Sequence, residues 1–183
     1  MLQKKIITFL QTEAVLYFYP IRNRIFLLWS LLMDRESTIC VAGDHAGFEL
    51  KEKIKSYLEQ KGLAVVDCGA KEYDGEDDYP IFASALASSI SKGECRRGVL
   101  FCGTGVGASI AANRYKGVRA ALCFTPEMAQ MSRAHNDSNV LVLGARTTPE
   151  NTAKQILDEW LDGEFSAGRH SRRVKQLDNL PEK

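Results

Sequence analysis

Val99-Leu100-Phe101-Cys102-Gly103-Thr104-Gly105-Val106-Gly107-Ala108-Ser109 is the segment on which the architecture of this chain turns. Val99 to Phe101 form a short apolar run suited to a strand buried on both faces. Gly103, Gly105 and Gly107 allow positive φ and let a ligand come close to the backbone. A helical pattern follows. Strand, glycine turn and helix in that order aim main-chain N–H groups and a helix N-terminus at one point, which suits an anion. Cys102 ends the strand, where such a field is expected to lower a thiol pKa. The same spacing also fits a tight βα turn beside an inert buried cysteine, and this segment alone does not separate the two.

Outward from it, strand and helix patterns alternate. Thr38-Ile39-Cys40-Val41-Ala42 reads as a first strand. Residues 47–58 read as a helix, with Phe48, Leu50, Ile54, Tyr57 and Leu58 at near-helical spacing among lysines and glutamates. Leu63-Ala64-Val65-Val66-Asp67 is a second strand. A polar loop over residues 71–78 leads to Tyr79-Pro80, and Pro80 suits the first turn of an alanine-rich helix over residues 81–91. Residues 98–101 give a third strand, 107–113 a helix and 118–122 a fourth strand. Thr125-Pro126-Glu127 caps a helix through Arg133. Val140-Leu141-Val142-Leu143 is a fifth strand. Thr147-Thr148-Pro149-Glu150 caps a long helix ending near Gly163, and a last helix covers residues 169–177. Strands separated by helices predict an α/β fold: a Rossmann-like three-layer sandwich around a five-stranded parallel sheet. Ligands of such sheets sit beyond the carboxyl ends of the strands. That edge gathers Asp44 and His45, Asp78 and Tyr79, Cys102 with its glycines, and Arg146.

The chain has 183 residues and a formal charge of +1, enough for one core and without the basic face that a nucleic-acid partner requires. Its five cysteines, Cys40, Cys68, Cys95, Cys102 and Cys123, have no C-x-x-C spacing and are odd in number. This argues against both a zinc site and a disulfide framework, and points to the reducing cytoplasm. Residues 1–35 are different in kind. Their apolar runs are broken by Pro20, Arg22 and Arg24, and none reaches the ~20 residues that span a bilayer. A membrane-surface anchor, an added helical hairpin and a leader outside the working protein all fit. Met33 would start the chain in the last case, leaving residues 36–183 as the working domain.

Other residues carry chemistry only in combination. Asp44 could simply cap a helix, and His45 could be a surface histidine. His135, near a helix C-terminus, could be a dipole partner. Arg169 and Arg173 lie one helical turn apart, where they could grip a phosphate or form a solvated basic face. Three familiar loops are excluded. A tyrosine-phosphatase loop needs arginine where Ala108 stands, Gly107-Ala108-Ser109 lacks the lysine of a Walker A loop, and a dinucleotide fingerprint belongs at the first βα turn.

Taken together, Gly43-Asp44-His45-Ala46-Gly47-Phe48, Asp78-Tyr79-Pro80, Cys102 to Gly107, Ser109-Ile110-Ala111-Ala112-Asn113, the run from Ser132 through His135-Asn136-Asp137 to Leu141, Gly144-x-Arg146, and Gly168-Arg169-His170-x-x-Arg173 resemble the ribose/galactose sugar-phosphate isomerase family. The resemblance runs from about Ser37 to the C-terminus. It implies an aldose–ketose isomerase that works through an enediolate without metal or cofactor. The expected pair is ribose 5-phosphate and ribulose 5-phosphate, in the non-oxidative branch of the pentose phosphate pathway. A six-carbon substrate (allose 6-phosphate or galactose 6-phosphate) and a non-catalytic sugar-phosphate sensor are the alternatives. By resemblance Cys102 is the base, since the position where some relatives carry a glutamate is Ala108. Thr104 assists proton movement between oxygens, and His135 opens the furanose ring. Asp44 and Asn136 hold sugar oxygens and Tyr79 lines the sugar pocket. The N–H groups of Gly103, Gly105, Val106 and Gly107 hold the enediolate oxygen. His45, Arg146, Arg169 and Arg173 take the phosphate. The resemblance also implies a homodimer with shared active sites, or a tetramer of such dimers.

Overall fold

The computed structural model describes residues 38–180, so the readings of residues 1–35 lie outside the described residues. Five strands, β1 (Thr38–Gly43), β2 (Ala64–Asp67), β3 (Arg97–Cys102), β4 (Ala120–Leu122) and β5 (Val140–Gly144), form one sheet in the order β2-β1-β3-β5-β4. Every neighbouring pair is parallel. The intervening helices are α1 (Phe48–Gln60), α2 (Tyr79–Ser91), α3 (Val106–Ala112), α4 (Pro126–Asn136) and α5 (Glu150–Asp162), and α6 (Arg169–Asp178) ends the described chain.

Side chains alternate across the sheet with period two, so β3 serves two cores. Val99 and Phe101 join Ile39, Val41, Leu141 and Leu143 against Leu50, Ile54 and Leu58 of α1 and Ile156, Leu157 and Trp160 of α5. Leu100 and Cys102 face the other way, into a layer with Ala83, Leu86, Ala87 and Ile90 of α2 and Ala108 and Ala112 of α3. The alanines let α2 lie close to the sheet: a Cβ on Gly98 would stand 2.8 Å from Leu86.

Helix ends differ from the sequence reading by a few residues. Pro80 sits within the first turn of α2, so the helix starts at Tyr79 instead of Ile81. Thr125 accepts from the Met128 N–H at 3.2 Å as expected, but α4 runs past Arg133 to Asn136. It stops at Asp137, which adopts φ 47° and is held by Arg119 and Arg133. The expected Thr147-Thr148 cap is absent: Pro149 is the residue before α5 and makes no side-chain cap bond. The cysteine reading also needs correction. Cys40 in β1 and Cys95 before β3 form a disulfide across 55 residues, both buried in the α2 layer. Pairing at that separation depends on β1 lying beside β3, which residue spacing does not reveal.

Candidate active site

The strand order reverses direction between β1 and β3: the chain goes from β1 outward to β2, then returns to the other side of β1 to make β3. Crevices beyond the carboxyl ends of such strands are where open α/β sheets hold ligands. Gly43 pairs with Phe101 there, which sets Asp44 next to Cys102. The Cys102 thiol donates to Asp44 Oδ2 at 3.3 Å, and Asp44 Oδ1 accepts from the Gly47 N–H at 2.9 Å. Both residues are buried, Asp44 at 4% and Cys102 at 8% exposure.

This contact reverses the expected direction of the thiol shift. Burial pushes the Cys102 thiol up, and the Asp44 carboxylate adds to it through its charge and its hydrogen bond. The N–H groups of Gly105 and Gly103 pull the other way, as the glycine turn suggested, but they do not win. The resting group is therefore a thiol bonded to a carboxylate, not a thiolate in a positive field.

The glycine turn is built for close approach. Gly105 has φ 80°, and a Cβ on it would meet Leu122 at 2.6 Å. A Cβ on Gly107 would meet the Tyr79 ring at 2.6 Å, so Tyr79 of α2 leans directly over the start of α3. Thr104 is exposed at the turn, with Oγ1 3.5 Å from the Val106 N–H, and Val106 is also exposed. After β5 the chain folds back on β3: the Ala145 N–H donates to Cys102 O and the Arg146 N–H to Gly103 O, at 2.8 and 2.9 Å. The Arg146 guanidinium then lies against Gly103. His45 completes this edge. Its Nδ1 is 2.7 Å from Asp77 Oδ1, and that bond, helped by the charge of Asp44, raises its pKa against the effect of burial.

His135, Asn136, Arg169 and Arg173 are elsewhere. The register aligns Gly98 with Val140 and Cys102 with Gly144. His135 and Asn136 end α4 just before Val140, at the amino edge of the sheet. That edge is separated from Cys102 by the length of β5, about 13 Å at a rise of about 3.3 Å per residue. The ring of His135 stacks on that of His170 with centroids 4.3 Å apart and planes at 4°. Burial lowers the His170 pKa, and the neighbouring His135, Arg169 and Arg173 lower it further. The amino edge thus carries a cluster of basic groups, and the carboxyl edge carries the sulfur. One copy of the chain does not bring them together. Sequence reasoning assigned no role to His170 or Asp77. His170 lies inside the Arg169–Arg173 motif and was within reach of it, whereas Asp77 is 32 residues from its histidine.

The family model described as Ribose/Galactose Isomerase matches residues 39–177. The chain is 46% identical over 134 residues to ribose-5-phosphate isomerase B of Escherichia coli (strain K12), covering 73% of this chain and 89% of that protein. Among solved structures, a ribose 5-phosphate isomerase from Thermotoga maritima matches with a TM-score of 0.76 and 48% identity, over 78% of this chain and 98% of that one. Ribose-5-phosphate isomerase B from Mycoplasma genitalium, solved with bound ribulose-5-phosphate, matches with a TM-score of 0.75 and 40% identity, over 77% and 93%. With the thiol, the glycine turn and the basic groups at the motif positions quoted above, this chain belongs to the ribose/galactose isomerase family.

Proposed function

We propose that this protein interconverts ribose 5-phosphate and ribulose 5-phosphate by moving one proton between C1 and C2 through an enediolate. The observation that carries the reading is the Cys102 thiol 3.3 Å from Asp44 in the switch-point crevice, with the N–H groups of Gly103 and Gly105 directed at the sulfur. Proton abstraction next to a carbonyl needs a positioned base, and Cys102, held protonated at rest by burial and Asp44, becomes that base only once its proton has left. Cys102 passes its proton to Asp44, and the thiolate takes the C2 proton of the open-chain aldose. The electron pair moves onto the C1 carbonyl oxygen, which the N–H groups of Gly103, Gly105, Val106 and Gly107 stabilise. Donors of this kind are each worth about 10²–10³ in rate. Thr104 carries a proton between the two oxygens, and Cys102 returns its proton to C1. Tyr79 borders the sugar, and Asp44 and Asn136 hold its hydroxyls. His135 opens the furanose ring. His45, Arg146, Arg169 and Arg173 hold the phosphate, whose binding energy positions the reacting carbons.

The working unit in this reading is a homodimer in which each copy supplies the other's His135, Asn136, Arg169 and Arg173. Its support is the separation of the two groups within one copy. Val106 and Ile110, one helical turn apart on α3, also leave large apolar side chains exposed, as do Phe124, Met128 and Met131, and burial against a second copy would cover such groups. The catalytic domain is residues 36–183, with 1–35 a separate extension; the cytoplasm stays the proposed compartment on the enzyme class alone, because the Cys40–Cys95 disulfide removes the argument from unpaired cysteines. No helix among the described residues is long and apolar enough to cross a membrane. A coupled assay with ribose 5-phosphate tests the reaction. Wild type turns over, and Cys102→Ala loses about 10²–10⁴ in kcat, the usual worth of a general base. Equal turnover by the two proteins rejects the assignment of the base.

A further inference from the structure

We propose that Asp77 is a positioning residue that holds the ring of His45 as an imidazolium and so leaves its Nε2–H to bind the substrate phosphate. The proposal rests on the reading of His45 as a phosphate ligand and extends it to a residue with no role so far. Asp77 lies in the loop between β2 and α2. Its Oδ1 accepts twice from one residue: from the His45 main-chain N–H at 2.9 Å and from Nδ1 at 2.7 Å. The backbone contact fixes where His45 stands, and the ring contact fixes how it is turned.

The charge state follows from the surroundings. The Asp77 side chain is 9% exposed, and its Oδ2 is buried with no hydrogen-bond partner among the described residues. A carboxylate so placed needs a cation close by, because an unpaired buried charge is costly. The group it touches is His45, 26% exposed. With Nδ1–H given to Asp77, a neutral ring offers Nε2 only as an acceptor, which a phosphate cannot use. The imidazolium offers Nε2–H as a charge-assisted donor. The other ionisable groups beside the ring are Asp44, whose charge acts in the same direction, and Tyr73, whose ring meets His45 edge-on at 6.4 Å. Tyr73 also meets Phe48, the first residue of α1, edge-on at 6.5 Å.

Asp77→Asn separates charge from scaffolding. The asparagine carbonyl accepts both His45 bonds but carries no charge. We measure KM and kcat for ribose 5-phosphate in wild type, Asp77→Asn, His45→Gln and the double variant, together with the His45 titration by NMR of its ring protons. The expected result is a KM about tenfold higher in Asp77→Asn at pH 8 with kcat within about twofold, an allowance typical of lost uniform binding. The His45 midpoint falls, and the substitution adds nothing once His45 is glutamine. A wild-type KM and an unmoved His45 midpoint in Asp77→Asn overturn the proposal, since the carboxylate then only braces the loop. So does a KM effect that persists undiminished in the His45→Gln background. A wild-type KM in His45→Gln removes the phosphate role of His45, and the proposal with it. Failure of the isomerase reading is distinguishable, because it leaves wild type itself inactive on this substrate.

Discussion

Replacing Asp44 with asparagine should make Cys102 more reactive and the enzyme less active. A thiolate at Sγ faces the Asp44 Oδ2 charge across 3.3 Å. Coulomb repulsion at that distance is about 5 kcal/mol at an effective dielectric of about 20, and about 1.3 kcal/mol at that of water. Even the lower figure is close to the ~1.36 kcal/mol that changes a protonation equilibrium tenfold. Removing the charge should therefore raise the thiolate fraction of Cys102 at pH 7 by at least about tenfold. The asparagine oxygen still accepts the Gly47 N–H, so the βα turn stays in place. Reactivity is read as the rate of iodoacetamide labelling of the Cys102 peptide by mass spectrometry. Cys123 is an internal standard: it is 1% exposed, and burial pushes its thiol up to about 11. In the same protein kcat/KM should fall by about 10² or more, the typical contribution of a lost proton acceptor. A variant that simply loosens the site changes labelling of Cys123 as well. Unchanged or slower labelling of Cys102 in Asp44→Asn would refute the claim that this carboxylate holds the thiol protonated.

The remaining predictions concern the supports of the site. Lys51 is fully buried and bonds Asp67 Oδ2 at 3.0 Å and Ala70 O at 2.5 Å; Lys51→Met removes both bonds but leaves Asp67 with Lys55 at 3.2 Å and the Gly69 N–H, so it should cost about 1–3 kcal/mol in urea unfolding, chiefly through the unpaired Ala70 carbonyl. Burial works to raise the Asp67 pKa, but the Gly69 N–H and Lys51 outweigh it and the net shift is downward. That depressed pKa supplies stability present above the unfolded value of about 3.9 and lost as pH falls through the folded one. The urea-midpoint gap between wild type and Asp67→Asn should thus be wide at pH 7 and narrow by pH 2; a gap that widens in acid contradicts it. Gly107→Ala gains about 1 kcal/mol of helix propensity but puts a Cβ 2.6 Å from the mobile end of Tyr79. Melting should barely move while KM for ribose 5-phosphate rises several-fold; a collapse in stability with unchanged KM argues against Tyr79 as a wall of the sugar pocket.

Much of this architecture was legible because local chemistry and global fold agree. The apolar run at Val99 and the glycines behind it announce strand, turn and helix, and the observed β3 ends at Cys102 as that reading requires. Pro80 and Thr125 marked helix starts through the groups they remove or satisfy. What sequence patterning withheld is everything set by strand order. The contact between Cys102 and Asp44 spans 58 residues and exists because β1 lies beside β3. Without it, the glycine turn is the one local field in view, and the shift expected from it has the opposite sign to the one the structure gives. The Cys40–Cys95 bond was missed for the same reason. The division of the motif residues between two sheet edges was legible, by contrast: in a parallel sheet the helix that ends in His135 and Asn136 must return to the amino edge before the next strand starts at Val140.

The central claim is that one copy's Cys102 works with another copy's His135. Mixing two inactive proteins, Cys102→Ala and His135→Ala, under conditions that exchange subunits tests it directly. If the two edges of different copies form the site, each hybrid dimer contains one site with both residues intact, and random pairing restores about one quarter of wild-type activity. Should the mixture stay as inactive as its components after exchange is verified by mass spectrometry of the hybrids, the two residues do not meet across an interface.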